Sequence, residues 1–337
     1  MAQALVYSRD DLLAEHGYAR PLEVAGYRLH GGFDESGAYL PPRTLHRWPA
    51  VRAWQQALQA RGFPLIEATT RLLETPAYPN YAQQKLLLQN GLGQTLWNSL
   101  TITGVIEARG RILIDLPTPD FQRVLVEDVS DTGIGHLRKG LLTAHGMDEG
   151  GAPGSHLGAH DEMWFAIRDL VFGKDAYPLP EVPANISRPE GGRLAPALPL
   201  PYEQMLSLLM NVLMIEVRAE NVFDFVQRIL SDPDLFQDKR AEAALGVELV
   251  ERIRIDEAIH VAYLQLVLSE MRSFTFIADG RHVPGSEVID PMWAKLVHWH
   301  AVENPRLARE VMRGVLHERI RAHRDGARLV EEFEARA

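Results

Sequence analysis

Apolar residues recur at helical spacing along most of the chain, and the two strongest runs lie in its second half. Pro201–Leu230 carries the stripe Met205, Leu208/Leu209, Val212, Glu216, Ala219, Phe223 and Val226. Asp238 to about Phe274 carries Val250, Ile253, Leu264, Val267 and Met271. The turn-forming Ser231-Asp-Pro-Asp234 separates them. Earlier helices are predicted near Pro49–Arg61, from Tyr81 to Arg109 on the stripe Leu88, Leu92, Leu96, Ser99, Thr103 and Ile106, and from Pro119 to Ala144. Met147–Ser155 is Gly-rich and reads as loop, and a shorter helix then runs from His156 to about Phe172. Residues 173–201 hold seven prolines and form an extended excursion, and further helices occupy 290–337. Residues 1–48, punctuated by Gly31-Gly32 and Pro41-Pro42, read as an irregular arm with short strands around Val24–Leu29. The pattern predicts an all-α fold. Residues 49–337 form one helical-bundle domain, whose core, about 81–274, consists of two long helical hairpins (81–144 and 201–274) joined by a crossover.

Several polar residues interrupt these stripes. Asp256-Glu257-Ala258-Ile259-His260 puts a carboxylate and an imidazole three residues apart, on one face of a helix that is otherwise apolar. Charged groups on a core stripe are costly without a partner, and Glu-x-x-His is how four-helix carboxylate sites supply half of a two-metal centre. Glu216 lies within the preceding stripe and Glu220 flanks it, and the hairpin places both opposite Glu257 to within about one helical turn. In the first hairpin the available groups are Glu107 and His136, with Asp128 or Asp131 as further carboxylates, because Gly133 stands three residues before His136 where a second Glu-x-x-His would need its acid. His156 and His160 are four apart and can chelate from one face, while His298 and His300 alternate sides. The bland alternatives are an ion pair of Glu216 or Glu220 with Arg218 or Arg254, an exposed Glu107 beside Arg109, a hydrogen-bonded core His136, and a helix start at His160-Asp161-Glu162.

Composition narrows the chemistry. The 337 residues are 46% hydrophobic and 24% charged, with a formal net charge of −10. No Lys/Arg cluster offers a nucleic-acid groove. The absence of cysteine removes disulfides, thiolate zinc sites, cysteine-held iron–sulfur clusters and a thiol nucleophile. Any metal must use imidazole and carboxylate, a set that suits iron or manganese. Met1–Arg20 has three acids and no apolar run, unlike a signal peptide, and Met205–Val217 is too short to span a bilayer. A soluble cytoplasmic protein with no membrane partner is expected.

On Glu257-Ala-Ile-His260, Glu216/Glu220 and the two-hairpin layout, residues 81–274 resemble the ferritin-like di-iron carboxylate superfamily, and in length the oxygenases and oxidases rather than the ferritins. The bacterial arylamine N-oxygenases are similar in size. The haem-oxygenase-like di-iron fold is a related resemblance that Glu220, Glu257 and His260 would satisfy. The resemblance implies an enzyme holding two iron ions, or iron and manganese, that activates O2 to hydroxylate, desaturate or N-oxygenate a small organic substrate. It implies metal ligation by Glu107, His136, Glu216 or Glu220, Glu257 and His260, an apolar lining of Met210, Met214, Phe223 and Leu264, and a ferredoxin or flavoprotein electron donor. The Pro-rich arm would serve as a lid or as the contact of a homodimer. Two other classes remain in view: a metal-free helical scaffold whose buried acids pair with Arg218, Arg254 or Arg272, and a non-redox metal hydrolase on the same ligands.

Overall fold

Two long helices organise the molecule. In the computed structural model, which describes residues 5–73, 77–189 and 191–337, the chain is largely helical. Residues 1–4, part of the stretch read against a signal peptide, and residue 190 of the Pro-rich excursion lie outside the described residues. The chain opens with α1 (Arg9–Leu13), capped by Ser8, and a small antiparallel sheet, β1 (Arg20–Val24), β2 (Tyr27–Phe33) and β3 (Tyr39–Leu40). The short strands expected around Val24–Leu29 thus form a hairpin over Arg20–Phe33. Ala25 and Gly26 both take positive φ, 52° and 82°, which turns β1 tightly into β2.

The helices α2 (Arg47–Ala60), α3 (Tyr81–Gln89) and α4 (Gln94–Gly110) follow. The single helix expected over 81–109 is broken at Asn90-Gly91, where Gly91 adopts φ 74°. The helix expected over Pro119–Ala144 starts later, after a run of turns and short 3₁₀ segments, as α5 (Gly133–His136). It continues through a π-helical stretch, Leu137–Leu141, into α6 (Leu142–Gly150), beyond its expected end. Then come α7 (His160–Val171), α8 (Leu200–Ser231) and α9 (Arg240–Ser273). A hairpin of β4 (Thr275–Ala278) and β5 (Arg281–Pro284) leads to α10 (Gly285–His298), α11 (Asn304–Arg321) and α12 (Gly326–Glu334).

Helix α9 packs along α8 and against α7, while α4 lies on α7 and α6. The buried apolar residues divide into two large clusters. One holds Met210, Met214, Leu264 and Met271, and the other holds Trp164, Phe223, Val250 and Ile253. Both α8 and α9 pass from one cluster into the other, and they do so at Glu216–Glu220 and at Asp256–Glu257. The polar intruders thus sit where the two apolar cores meet. A third, smaller cluster joins Leu86 and Leu87 of α3 to Leu316, Ile320, Leu329 and Phe333 of the last two helices. Among the described residues no helix is long and apolar enough to cross a membrane.

Candidate metal centre

Five helices converge on this seam. Glu107 comes from the last turn of α4, His145 and Glu149 from one face of α6, His160 from the first residue of α7, Glu216 from α8, and Glu257 and His260 from α9. All but Glu107 are buried, and Glu107 is half-buried. The side chains form two interlocking groups that share Glu149: His145, Glu149, Glu216 and His260, and Glu107, Glu149, His160 and Glu257. His145 Nε2 lies 3.1 Å from Glu216 Oε1 and 3.4 Å from Glu149 Oε1. His260 Nδ1 lies 3.2 Å from Glu149 Oε1 and 2.6 Å from Glu257 Oε2. His160 Nδ1 lies 2.9 Å from Glu257 Oε1 and 3.7 Å from Glu149 Oε1. Gly110 makes room for Glu149. A Cβ on Gly110 would stand 2.7 Å from both Glu149 Cβ and Cγ.

Each histidine turns one ring nitrogen toward the carboxylates and ties the other to a partner outside the cluster. His260 Nε2 bonds Asp148 Oδ2 at 3.1 Å, and Asp148 is gripped by Arg43 (Nε to Oδ1, 2.8 Å) and Arg47 (NH2 to Oδ2, 2.5 Å). His160 Nε2 bonds Asp256 Oδ2 at 3.2 Å; the same oxygen accepts the Tyr39 hydroxyl at 3.0 Å, with His30 Nε2 3.5 Å away. His145 Nδ1 bonds the Tyr263 hydroxyl at 2.8 Å. The N-terminal sheet is what brings His30 and Tyr39 here, because β2 is pinned to the residue pair before α7 through His30 N–H to Gly158 C=O, 2.8 Å, and Gly158 N–H to Arg28 C=O, 3.0 Å.

The four glutamates have no lysine or arginine partner among the described residues; their ionic neighbours are the three histidines. Such a density of negative charge out of water must be compensated. Burial, reinforced by the neighbouring carboxylates, pushes Glu107 and Glu216 well above the usual carboxylate range. Burial acts upward on Glu149 too, but Glu107 and the three histidines around it hold it well below that range. Burial and Glu149 both act upward on Glu257, yet His260 and His160 bring it down to about 2. For His160 and His260 burial alone would lower the ring, but Glu257 and the other acids raise both. His145 is lowered, by burial and then by the His260 ring stacked on it at 3.8 Å.

Of the residues singled out in the sequence, Glu107, Glu216, Glu257 and His260 come together in this cluster, and His160 joins them. His136 does not. Its Nδ1 bonds Thr132 C=O, its Nε2 accepts the Tyr7 N–H, and its ring lies against Trp54. Glu220 points away to Arg254, 3.2 Å, with 43% of its side chain exposed. Asp128, Asp131 and His156 are exposed. Arg254 takes Glu220, the ion-pair alternative for that acid, together with Asp224 and Glu251, while Arg218 goes to His300 and Arg272 to Asp290, so none of the three pairs with the clustered glutamates. Sequence reasoning missed His145 and Glu149, which lie one turn apart on α6, although His145-x-x-x-Glu149 is itself a one-face spacing. It also missed the outer partners His30, Tyr39, Arg43, Arg47, Asp148 and Tyr263. No protein-family model, curated protein or solved structure matches the chain.

Proposed function

We propose that this chain is a ferritin-like di-metal oxidoreductase, holding two iron ions or one iron and one manganese in the shared cluster and using O2 to oxidise a small organic substrate. The observation that carries this reading is the orientation of the three histidines, each with an inner nitrogen aimed at carboxylates that have no lysine or arginine partner among the described residues, and an outer nitrogen fixed by a dedicated partner. That second tie is the usual accompaniment of a metal-bound imidazole, where it fixes the tautomer and raises the basicity of the ligating nitrogen.

The residues fit the group. Glu149 Oε1 and His160 Nδ1 are buried without a hydrogen bond. His160 Nδ1 approaches Glu257 Oε1 to 2.9 Å without hydrogen-bond geometry. Two atoms bound at about 2.1 Å to one ion stand roughly 3 Å apart, which is the spacing found here. The donors are hard to borderline, as iron and manganese prefer. His145, His260, Glu216 and Glu149 would hold one ion, and His160, Glu107, Glu257 and Glu149 the other. Four glutamates carry the charge that two divalent ions would neutralise. Four of the helices, α4, α6, α8 and α9, each supply a glutamate, in keeping with the ferritin-like plan.

Such a metal pair, when reduced, supplies O2 binding and oxidising equivalents for hydroxylation, desaturation or N-oxygenation. The chain's own part is positioning and exclusion. Glu149 belongs to both groups and would serve both positions, and Asp148 and Tyr263 hold His260 and His145 in place. Met210, Leu213, Met214 and Leu264, all buried and within about two helical turns of Glu216 or His260 on the same helices, would help to keep water out. The electrons come from a partner of the ferredoxin or flavoprotein class. The test is elemental analysis of protein produced with iron and manganese available, followed by anaerobic reduction and addition of O2. About two metal ions per chain and rapid O2 consumption are expected. Glu257→Ala or His260→Ala should lose metal while far-ultraviolet circular dichroism stays nearly unchanged. Metal bound without O2 uptake points to a hydrolase, and no metal after reconstitution points to a scaffold.

A further inference from the structure

We propose that the cavity between the N-terminal sheet and the N-terminal part of α9 binds a small carboxylic acid with an apolar body, its carboxylate held by Arg20 and Arg252. No residue lining this cavity belongs to the metal cluster, so its ligand is distinct from the substrate of the proposed centre. The inference stands or falls independently of the metal.

The site begins with two spacings. On α9, Leu245, Glu248, Leu249 and Arg252 follow one another at helical intervals and share one face. On the sheet, Arg20 of β1 stands directly opposite Phe33 of β2 in the antiparallel register, which sets the two side chains on one face. A bulge between Pro21 and Leu22 breaks the register just beyond this pair. The sheet and the helix face leave between them a cavity of about 280 Å³ that is partly open to solvent. Sites for drug-sized ligands run from about 300 to 1,000 Å³, so the occupant is a smaller molecule.

Two cations are held there. Both guanidinium groups lie over the Phe33 ring, with Cζ of Arg20 4.3 Å and Cζ of Arg252 4.9 Å from its centroid. The ring restrains both side chains without using their N–H groups, which leaves them prepared for an anion. Those N–H groups are short of acceptors. Among the described residues Arg20 makes no ion pair, and the one ion pair of Arg252 is with Glu248 at 3.4 Å. The Arg252 side chain is 17% exposed and that of Glu248 61%, so the cation is largely withdrawn from water while its acid is not. Burial pushes Arg252 down from its ordinary value and the charge of Arg20 adds to this, although Glu248 and Asp256 act the other way. An anion between the two guanidinium groups relieves both effects.

The rest of the lining selects among anions. Val24, Leu245 and Leu249 give the cavity apolar walls, and Leu245 stays exposed there. Inorganic phosphate has nothing to set against such walls. Glu23 and Glu248 also line the cavity, and their charges oppose a dianion more than a monoanion. A monocarboxylate with an aromatic or branched aliphatic body meets both conditions. Its oxygens take the guanidinium N–H groups, and its body covers the leucines.

The experiment is calorimetric titration of the full-length protein with phenylacetate, and with phenylacetamide and inorganic phosphate for comparison. Saturable binding of phenylacetate at one site per chain is expected, with the neutral amide and phosphate each about tenfold weaker or more. Arg20→Gln, at an exposed strand position, should weaken phenylacetate about tenfold or more with circular dichroism unchanged. Leu245→Ala should weaken it several-fold through the lost apolar wall. Arg71→Gln makes the same change at an exposed arginine outside the cavity and should leave the affinity as it was. The absence of saturable binding into the millimolar range overturns the inference. So does an equal effect of Arg20→Gln and Arg71→Gln, or binding of the amide or of phosphate as tight as that of phenylacetate. None of these outcomes bears on the metal centre.

Discussion

Asp148 carries the heaviest load of any single side chain outside the ligand set. It is 1% exposed, and it joins His260 to Arg43 and Arg47. Asp148→Asn keeps the shape and removes the charge, leaving two buried guanidinium groups short of their anion. Breaking such a pair from one side costs about 3–5 kcal/mol, and disturbing the partner of a ligating histidine lowers metal affinity about 10–100-fold. Urea unfolding and metal titration of the variant should show both losses. Tyr263→Phe removes only a neutral hydroxyl from His145, so it should weaken metal binding less than Asp148→Asn. His300 offers a residue-scale test of pH. Burial, then the charge of Arg218, lowers its ring from 6.5 to about 3. Nδ1 faces Arg218 at 3.0 Å while Nε2–H reaches Asn211 at 3.1 Å, which fixes a neutral tautomer. Its folded value lies below its unfolded one, so its stabilising contribution is complete above pH 6.5 and falls as the pH drops toward 3. Between pH 7.5 and pH 5 the stability advantage of the native protein over His300→Gln should narrow by about 2 kcal/mol, and no change in that difference would refute the neutral ring.

At the scale of elements, the contrast between α9 and α6 explains what could be read from the sequence. Helices α8 and α9 carry long apolar stripes, so their extents, and with them Glu216, Glu257 and His260, were legible from spacing alone. Helix α6 ends in Met147-Asp148-Glu149-Gly150-Gly151, which reads as loop because glycine disfavours helix. Its glycines serve contact instead. A Cβ on Gly146 would meet Ile114 N at 2.8 Å, and one on Gly150 would meet Ala108 C=O at 2.8 Å. Together with Gly110 they let α6 press against the end of α4 and the 3₁₀ turn after it, so that Glu149 reaches the centre. A tertiary contact set the composition, and a single sequence does not announce tertiary contacts. His136 shows the converse: a histidine on the expected helix and face, whose hydrogen bonds and Trp54 packing account for it without a metal. The prediction at this scale is that Gly110→Ala, whose methyl would overlap the Glu149 stem, lowers metal stoichiometry while leaving helix content near that of the native protein. Gly17→Ala, with open space around its Cβ, is the control.

Across the whole molecule the centre stands at the junction of two apolar cores, where residues far apart in sequence meet. Glu107, Glu149, Glu216 and Glu257 come from four helices, and Tyr39, Arg43 and Arg47 reach in from the arm and α2. Without metal this junction crowds four carboxylates and three histidines together with no lysine or arginine partner for the carboxylates among the described residues. With two cations, the same groups would become ligands shared between elements. Metal that binds only the folded chain adds RT ln(1 + [M]/Kd), about 4 kcal/mol at a thousandfold excess over Kd. For a chain this long that is a rise in Tm of several degrees. The stabilisation should also be localised. Amide exchange should slow most around 214–220 of α8, 254–261 of α9 and 145–150 of α6, and next in the arm around 28–47, whose Tyr39, His30 and Arg43 back the ligands. Residues 316–333, whose apolar cluster is separate from the centre, should exchange at the same rate with and without metal. Uniform protection of every segment on loading would mean that the metal acts on global stability alone and that the junction is not the weak point of the metal-free protein. Protection confined to the arm, the end of α6 and the middle turns of α8 and α9 would mean that the cations join the two cores.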